Sequence, residues 1–314
     1  MFIEQAYSKR FDFIKYLPIP IIFLLLMLLN YAVVLLVDID VDKLIQNEIA
    51  SKGANRVLFE TMLPLVLFLV FLLLWVKYIN KQSIRSLTTA RPKVDWKRIF
   101  FSFGLWSIIT ILITVGSYYA APENFEINFK PVPFAILAAI AIIMVPMQTS
   151  FEEYLFRGYL MQGIGIATRS KLTALIITSV LFGLMHIANP EIEKLGYLLL
   201  LYYVGTGFFL GIITLMDDGM ELALGFHASN NLIAALLVTS DWTALQTDSI
   251  LKDNAIPEAG FDILLPLVIV YPLLLIIFSK VYKWSDWKNK LAGPLHLVTE
   301  EKQPTINQIG QSHD

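Results

Sequence analysis

The sequence predicts an all-α fold, a polytopic membrane helix bundle of about eight transmembrane helices around a buried polar cavity. Of the 314 residues, 56% are hydrophobic and 16% are charged, whereas an ordinary soluble domain has roughly 25% charged residues. Apolar stretches of about 20 residues, the length that crosses a bilayer as a helix, recur along the chain. Two of the stretches carry charged or polar residues, which lipid penalises unless protein surrounds them.

Six apolar stretches give the clearest predictions of transmembrane helices. They are Leu17–Val37, Val57–Val76, Ile99–Tyr119, Leu172–Ala188, Leu195–Met216 and Phe261–Phe278. The two interrupted stretches run from Val132 to about Ala167 and from Leu222 to Thr239. The first of these must form a helix of about 30 residues or break, and Pro146 offers a site for a kink.

The predicted organisation has three parts: a cytoplasmic amphipathic lead (residues 1–16), one polytopic membrane domain (17–298, with its core at about 132–240) and a disordered cytoplasmic tail (299–314). With eight spans both termini lie on one side of the membrane. Of the 24 Lys and Arg residues, 18 fall in the segments on that side, so the positive-inside rule predicts that both termini are cytoplasmic. The acidic loop around Asp217 does not follow the rule. We expect a cell (plasma) membrane location.

Composition also excludes several classes of protein. The net charge of −2 gives no basic excess of the kind that nucleic-acid binding needs, so we expect no nucleic-acid partner. The expected surroundings of the protein are the lipid bilayer. The absence of cysteine excludes disulfides, thiolate metal ligands and a thiol nucleophile. The sequence does not determine an oligomeric state.

The fourth stretch contains two adjacent carboxylates and an arginine. Glu153 and Arg157 are four residues apart, so on a helix they share a face in the favourable orientation for an ion pair. Glu152 lies about 100° around the helix from Glu153 and can face a cavity instead. A structural ion pair near the headgroups is the alternative interpretation.

Three further polar side chains lie in apolar stretches downstream. His186 is one of four histidines and is predicted to lie deep in the fifth helix, while His227 and Asn231 share a face of the seventh. Glu152 and His186 lie at similar depths, roughly 22 to 26 Å from the turn at residues 169–171, because a helix rises 1.5 Å per residue. The three motifs therefore predict one buried polar site.

Such a site could hydrolyse a peptide bond. A carboxylate and an imidazole can deprotonate a water molecule, and a second histidine with an asparagine amide can stabilise the oxyanion of the tetrahedral intermediate. Glu152, His186 and His227 could instead ligate a divalent metal such as zinc. The His-Glu-x-x-His zinc signature is absent, and both mechanisms remain open.

The order of the three motifs resembles the CPBP intramembrane protease family, which includes type II CAAX prenyl endopeptidases and bacterial Abi proteins. The matching residues are Glu-Glu-x-x-x-Arg at 152–157, Phe-x-x-x-His at 182–186 and His-x-x-x-Asn at 227–231. The resemblance implies an eight-helix bundle with a cavity open to the cytosol.

The resemblance also implies a role for each of these residues. Glu152 and His186 would activate water, whereas His227 and Asn231 would hold the oxyanion. Glu153 and Arg157 would support them.

The leading functional hypothesis is an intramembrane endopeptidase whose partner is a membrane-associated protein or peptide substrate. A proton-coupled transporter would use Glu152, His186 and His227 as a relay, although the sequence shows no inverted repeat. A non-catalytic scaffold or immunity protein would keep the fold and use its surface. The substrate is not encoded in any motif, so a prenylated substrate rests on analogy.

Overall fold

A computed structural model describes residues 1–8, 11–258 and 260–295 of the chain. The predicted tail at 299–314 lies outside these residues, as do positions 9 and 10 of the predicted lead. The described residues form thirteen α-helices. They are α1 (Pro18–Val37), α2 (Val41–Lys52), α3 (Ala54–Tyr78), α4 (Ile84–Thr88), α5 (Trp96–Ala120), α6 (Pro131–Glu153), α7 (Met161–Thr168), α8 (Lys171–Leu184), α9 (Pro190–Leu195), α10 (Leu198–Asp217), α11 (Glu221–Leu237), α12 (Tyr271–Tyr282) and α13 (Trp287–Ala292).

The all-α membrane bundle predicted from sequence is confirmed. Within the described residues, five helical segments are long and apolar enough to cross a bilayer: Phe13–Val37, Ala54–Tyr78, Trp96–Ala120, Pro131–Thr168 and Leu198–Asp217. Lys171–Leu184 and Pro266–Tyr282 are apolar but shorter. The eight predicted spans thus divide into five full-length helices and three shorter ones, with α11 the third.

The fourth predicted span is one continuous helical segment of 38 residues, Pro131–Thr168. Pro146 lies inside α6 without ending it. The backbone instead changes to a π-helix over Tyr154–Leu160, directly after Glu152 and Glu153. A π-helical turn accommodates an additional residue and is often found at functional sites. Of the two sequence alternatives, the long helix is therefore the observed one.

The prediction that His186 lies within a helix is wrong. Helix α8 ends at Leu184, and residues 185–188 form turns before α9 begins at Pro190. The helix does not resume through these turns, because Pro190 disfavours helical angles at Asn189, whose backbone is extended. At 1.5 Å per residue, α8 is only about 21 Å long, shorter than the hydrocarbon core.

The helices around the predicted site approach one another closely. Helix α11 packs against α5 and α6, and α8 packs against α10. A Cβ atom at Gly207 of α10 would lie 2.6 Å from the carbonyl oxygen of Ser179 on α8, and one at Gly183 would lie 2.8 Å from the backbone nitrogen of Val204. Glycine at these two positions permits the α8–α10 contact.

A network of ion pairs and hydrogen bonds lies at one end of the bundle. It joins the segment before α5, the start of α5, the end of α10, the start of α11 and the segment after α12. The Asp217 carboxylate accepts hydrogen bonds from Arg91, Arg98 and Trp284. Arg91 also pairs with Glu221 at 3.0 Å. The loop that departs from the positive-inside rule is thus acidic because it neutralises Arg91, which precedes α5, and Arg98 in the first turn of α5.

The Asp218 carboxylate of the same loop binds the N-terminal lead and helix α13. Its oxygens accept from the Phe2 backbone N–H and from Lys290.

A small sheet, which the sequence did not predict, lies beyond the other ends of these helices. Its strands are β1 (Phe125–Ile127), β2 (Val238–Thr239) and β3 (Leu251–Asp253), in the order β1-β3-β2. Strand β3 pairs antiparallel with β1 and parallel with β2. Two- and three-residue strands are too short to leave an alternating hydrophobic pattern.

The α8–α10 contact predicts that Gly207→Ala is destabilising. The new methyl group must push apart two backbones, and such overpacking costs about 1–3 kcal/mol. Gly104→Ala in α5 is the matched control, because a Cβ there meets nothing within 4 Å and alanine favours the helix by about 1 kcal/mol. Thermal unfolding in detergent should show a lower midpoint for Gly207→Ala alone, and equal midpoints would contradict the prediction.

Candidate active site

The two predicted carboxylates are the last two residues of α6, and both are buried. Glu153 and Arg157 are each 0% exposed. Arg157 Nη1 donates to Glu153 Oε1 at 2.9 Å, and Nη2 donates to the carbonyl oxygen of Gly207 at 3.2 Å. The guanidinium also lies 4.1 Å from the centre of the Phe182 ring, where the π face attracts a cation. Arg157 thereby ties the π-helical segment to α8 and α10.

His227 of α11 bridges the two carboxylates. Its Nδ1 lies 2.8 Å from Glu153 Oε1, and its Nε2 lies 3.6 Å from Glu152 Oε2. An ionised carboxylate only accepts hydrogen bonds, so the short contact assigns a proton to Nδ1. This carboxylate-imidazole contact fixes the orientation of the ring and turns Nε2 toward Glu152.

The two oxygens of Glu152 have different surroundings. Gln148, one helical turn earlier, donates from Nε2 to Oε1 of Glu152. Oε2 is buried and accepts no hydrogen bond from the described residues. Because buried polar atoms almost always have a partner, Oε2 is the atom available to a water molecule or a substrate group.

Asn231 reaches the same carboxylate through Gln148. Its Nδ2 donates to Gln148 Oε1 at 3.3 Å. Sequence reasoning missed Gln148, although a polar residue four positions before Glu152 in an apolar stretch was a usable signal.

His186 lies beside this cluster in the turn after α8. Its Nδ1 is 2.8 Å from the carbonyl oxygen of Phe182, which accepts the ring proton and leaves Nε2 with a free lone pair. The imidazole stacks on Tyr203 of α10, with ring centres 4.1 Å apart and planes inclined by 12°. The Phe182 ring lies 5.1 Å from the His186 ring and 5.9 Å from the His227 ring.

The structure therefore brings most of the predicted site residues into direct contact. Hydrogen bonds and ion pairs join Glu152, Glu153, Arg157, His227 and Asn231, with Gln148 as an additional member. His186 adjoins them through Phe182, and its side-chain hydrogen bond goes to the backbone. Tyr203 was not predicted, because tyrosine in an apolar helix has no distinctive spacing.

Two comparisons with known proteins agree with the motifs. Residues 131–233, which contain all six predicted site residues, match the family described as type II CAAX prenyl endopeptidase Rce1-like. The chain is also 30% identical over 220 residues to the uncharacterized protein YyaK of Bacillus subtilis, a match that covers 68% of this chain and 71% of that protein. The chain belongs to the CPBP family. No solved structure matches it significantly.

The sequence left a divalent metal such as zinc open as an alternative for this CPBP protein. Among the parts of the chain that the structure describes, no group of three or more His, Asp or Glu side chains is arranged to hold a metal ion. The possible zinc ligands named from the sequence, Glu152, His186 and His227, do not form such a group in the described residues. His227 directs one nitrogen at each glutamate, and His186 bonds the backbone.

We expect the buried Glu153–Arg157 ion pair to affect the stability of the protein. Arg157→Met leaves the Glu153 carboxylate buried without its cation, which costs about 3–5 kcal/mol, whereas the double variant Glu153→Gln/Arg157→Met removes both charges and should lose less. Arg56→Met is the control, because Arg56 is 67% exposed in its pair with Glu60 and such pairs contribute about 0–1 kcal/mol. Thermal unfolding in detergent would show the order; a single variant no less stable than the double would contradict it.

Proposed function

We propose that this protein is an intramembrane endopeptidase that hydrolyses a peptide bond of a membrane-proximal protein or peptide, in the manner of CAAX-type proteases. The observation that carries the proposal is the hydrogen bonding of the Glu152 carboxylate. One of its oxygens is held by Gln148, while the other is buried, accepts no hydrogen bond from the part of the chain that the structure describes, and lies 3.6 Å from His227 Nε2. A general base needs such a fixed carboxylate with one free oxygen.

In the proposed reaction, Glu152 and His186 bind a water molecule and remove its proton as the water oxygen attacks the carbonyl carbon. His186 suits this role because its Nδ1 proton is engaged by Phe182, so the neutral ring presents Nε2 as an acceptor. The new C–O bond produces a tetrahedral oxyanion. The abstracted proton then passes to the amide nitrogen, the C–N bond breaks, and acid and amine products leave.

His227 and Asn231 are proposed to stabilise the oxyanion. His227 would donate from Nε2 in its imidazolium form, which carries a proton on both nitrogens, while its Nδ1 proton stays hydrogen-bonded to Glu153. Asn231 uses one of its two amide hydrogens on Gln148 and retains the other. Removal of a single oxyanion donor typically costs about 10²–10³ in kcat, so both residues are expected to matter.

Glu152→Gln and His186→Ala are expected to abolish cleavage while the bundle stays folded. The assay uses the protein in proteoliposomes with quenched-fluorescent peptides, one set farnesylated at a C-terminal Cys-aliphatic-aliphatic-X sequence and one set without lipid. The control is Glu126→Gln, a carboxylate exposed in β1. Unfolding midpoints establish folding. Cleavage retained by either site variant would reject the role of that residue.

Flux in the same proteoliposomes and complementation in cells separate the competing functions. A transporter would move protons or solute across the membrane, and this flux would depend on Glu152. If the protein is a scaffold, the Glu152→Gln variant should complement a deletion strain as well as the wild-type protein does. The protease proposal expects no flux and no complementation by the variant.

We propose further that the end of the bundle carrying the Asp217 network faces the cytoplasm. The absence of native cysteine allows clean labelling of single-cysteine variants. In intact cells, a membrane-impermeant maleimide should label Lys130→Cys and not Lys93→Cys. Both positions are exposed, and both should react after the cells are permeabilised. The reverse pattern would overturn the orientation.

A further inference from the structure

A chain of hydrogen bonds passes through three helices and ends on Glu152. It begins at Trp106 of α5, whose Nε1 donates to Asn230 Oδ1 at 3.1 Å. Asn230 Nδ2 donates to Asn231 Oδ1 at 3.0 Å, and Asn231 Nδ2 donates to Gln148 Oε1 at 3.3 Å. Gln148 Nε2 completes the chain by donating to Glu152 Oε1.

The chemistry of the first group fixes the direction of every bond in this chain. An indole nitrogen can only donate, so Asn230 must turn its oxygen toward Trp106 and its nitrogen toward Asn231. Asn231 and Gln148 must then take the matching orientation, in which the side-chain oxygen accepts from the preceding residue and the nitrogen donates to the next. The last group agrees, because an ionised carboxylate such as Glu152 can only accept. Reversal of any single amide would place two oxygens or two N–H groups face to face.

The direction of the chain matters for Asn231. With its oxygen held by Asn230, the Asn231 side chain has its NH2 group on the side of Gln148 and Glu152. One N–H bonds Gln148, and the second makes no hydrogen bond to the described residues, so it can donate to a ligand. A reversed amide would present an oxygen at this place and would repel an oxyanion.

We propose that Trp106, Asn230 and Gln148 are positioning residues that set the polarity of the Asn231 amide and hold one oxygen of Glu152. The role in cleavage rests on the proposed protease function. Trp106 suits the first position because it is buried and anchored by Phe226, with ring centres 4.5 Å apart. Gln148 is also buried, so water does not compete for its two bonds.

Trp106→Phe tests the start of the chain, since it removes the N–H and retains an aromatic ring. Once the indole is lost, the asparagine amides can adopt either orientation. We expect kcat to fall about tenfold with little change in KM, because the lost interaction acts in the transition state. Ser107→Ala is the matched control: it removes another α5–α11 contact, the 2.8 Å bond between Ser107 and Ser229, without touching the chain.

A second measurement needs no substrate. The six tryptophan indole N–H signals are recorded by NMR in detergent, and that of Trp106 is assigned by its absence in Trp106→Phe. Gln148→Met removes the acceptor of Asn231 and should speed solvent exchange of the Trp106 indole proton severalfold. Thr149→Val, a buried polar deletion at the neighbouring residue, should leave the exchange rate unchanged.

The two readouts distinguish failure of this proposal from failure of the protease proposal. Wild-type kcat in Trp106→Phe, or unchanged indole exchange in Gln148→Met, would overturn the positioning chain even if the protein cleaves peptides. Faster exchange in Gln148→Met together with no cleavage by the wild-type protein would support the hydrogen-bond chain and reject the protease.

Discussion

Lipid cannot solvate a charge, and this constraint organises the site. Glu153 and Arg157 are completely buried in a membrane bundle, so each must find its partners within the protein. Arg157 donates hydrogen bonds to one carboxylate oxygen of Glu153 and to the carbonyl oxygen of Gly207, and its guanidinium lies over the face of the Phe182 ring. These contacts join the π-helical segment to α8 and α10. His227 then binds the same carboxylate from α11, so one ion pair draws together the helices that carry the reactive groups.

The same constraint explains where the backbone departs from the α-helix. Non-helical backbone at membrane depth is tolerated only where protein or a polar cavity surrounds it. The two irregular segments next to the site are the π-helix at Tyr154–Leu160 and the turns that follow Leu184. The first follows the two glutamates directly, and the second holds His186 against Tyr203. Both irregular segments thus help to place the polar side chains of the site in the interior of the bundle.

Electrostatics act differently at the end of the bundle that carries the first residues of the chain and helix α13. There Asp217 and Glu221 pair with arginines that are partly exposed, so screening by water and salt weakens each contact. Together they still join the loop after α10 to the segment before α5, and Asp218 adds the first residues of the chain. The acidic residues of this loop therefore have a structural role. In contrast, each buried glutamate of the site has one oxygen that accepts no hydrogen bond from the described residues, and on Glu152 this oxygen is the one available to a water molecule or a substrate group.

The sequence by itself determined the class of fold, because the length and apolarity of a membrane helix are local properties. The predicted spans from Leu17 and Val57 differ from α1 and α3 by three residues or fewer at each end. Spacing within one helix also predicted the Glu153–Arg157 pair. Only the tertiary structure decided which side chains meet across helices. The contacts of His227 with both glutamates, the stacking of His186 on Tyr203 and the path from Trp106 to Glu152 depend on how closely the helices approach. That distance is set by glycines such as Gly207 and by where α8 ends, and neither effect leaves a periodic pattern in the sequence.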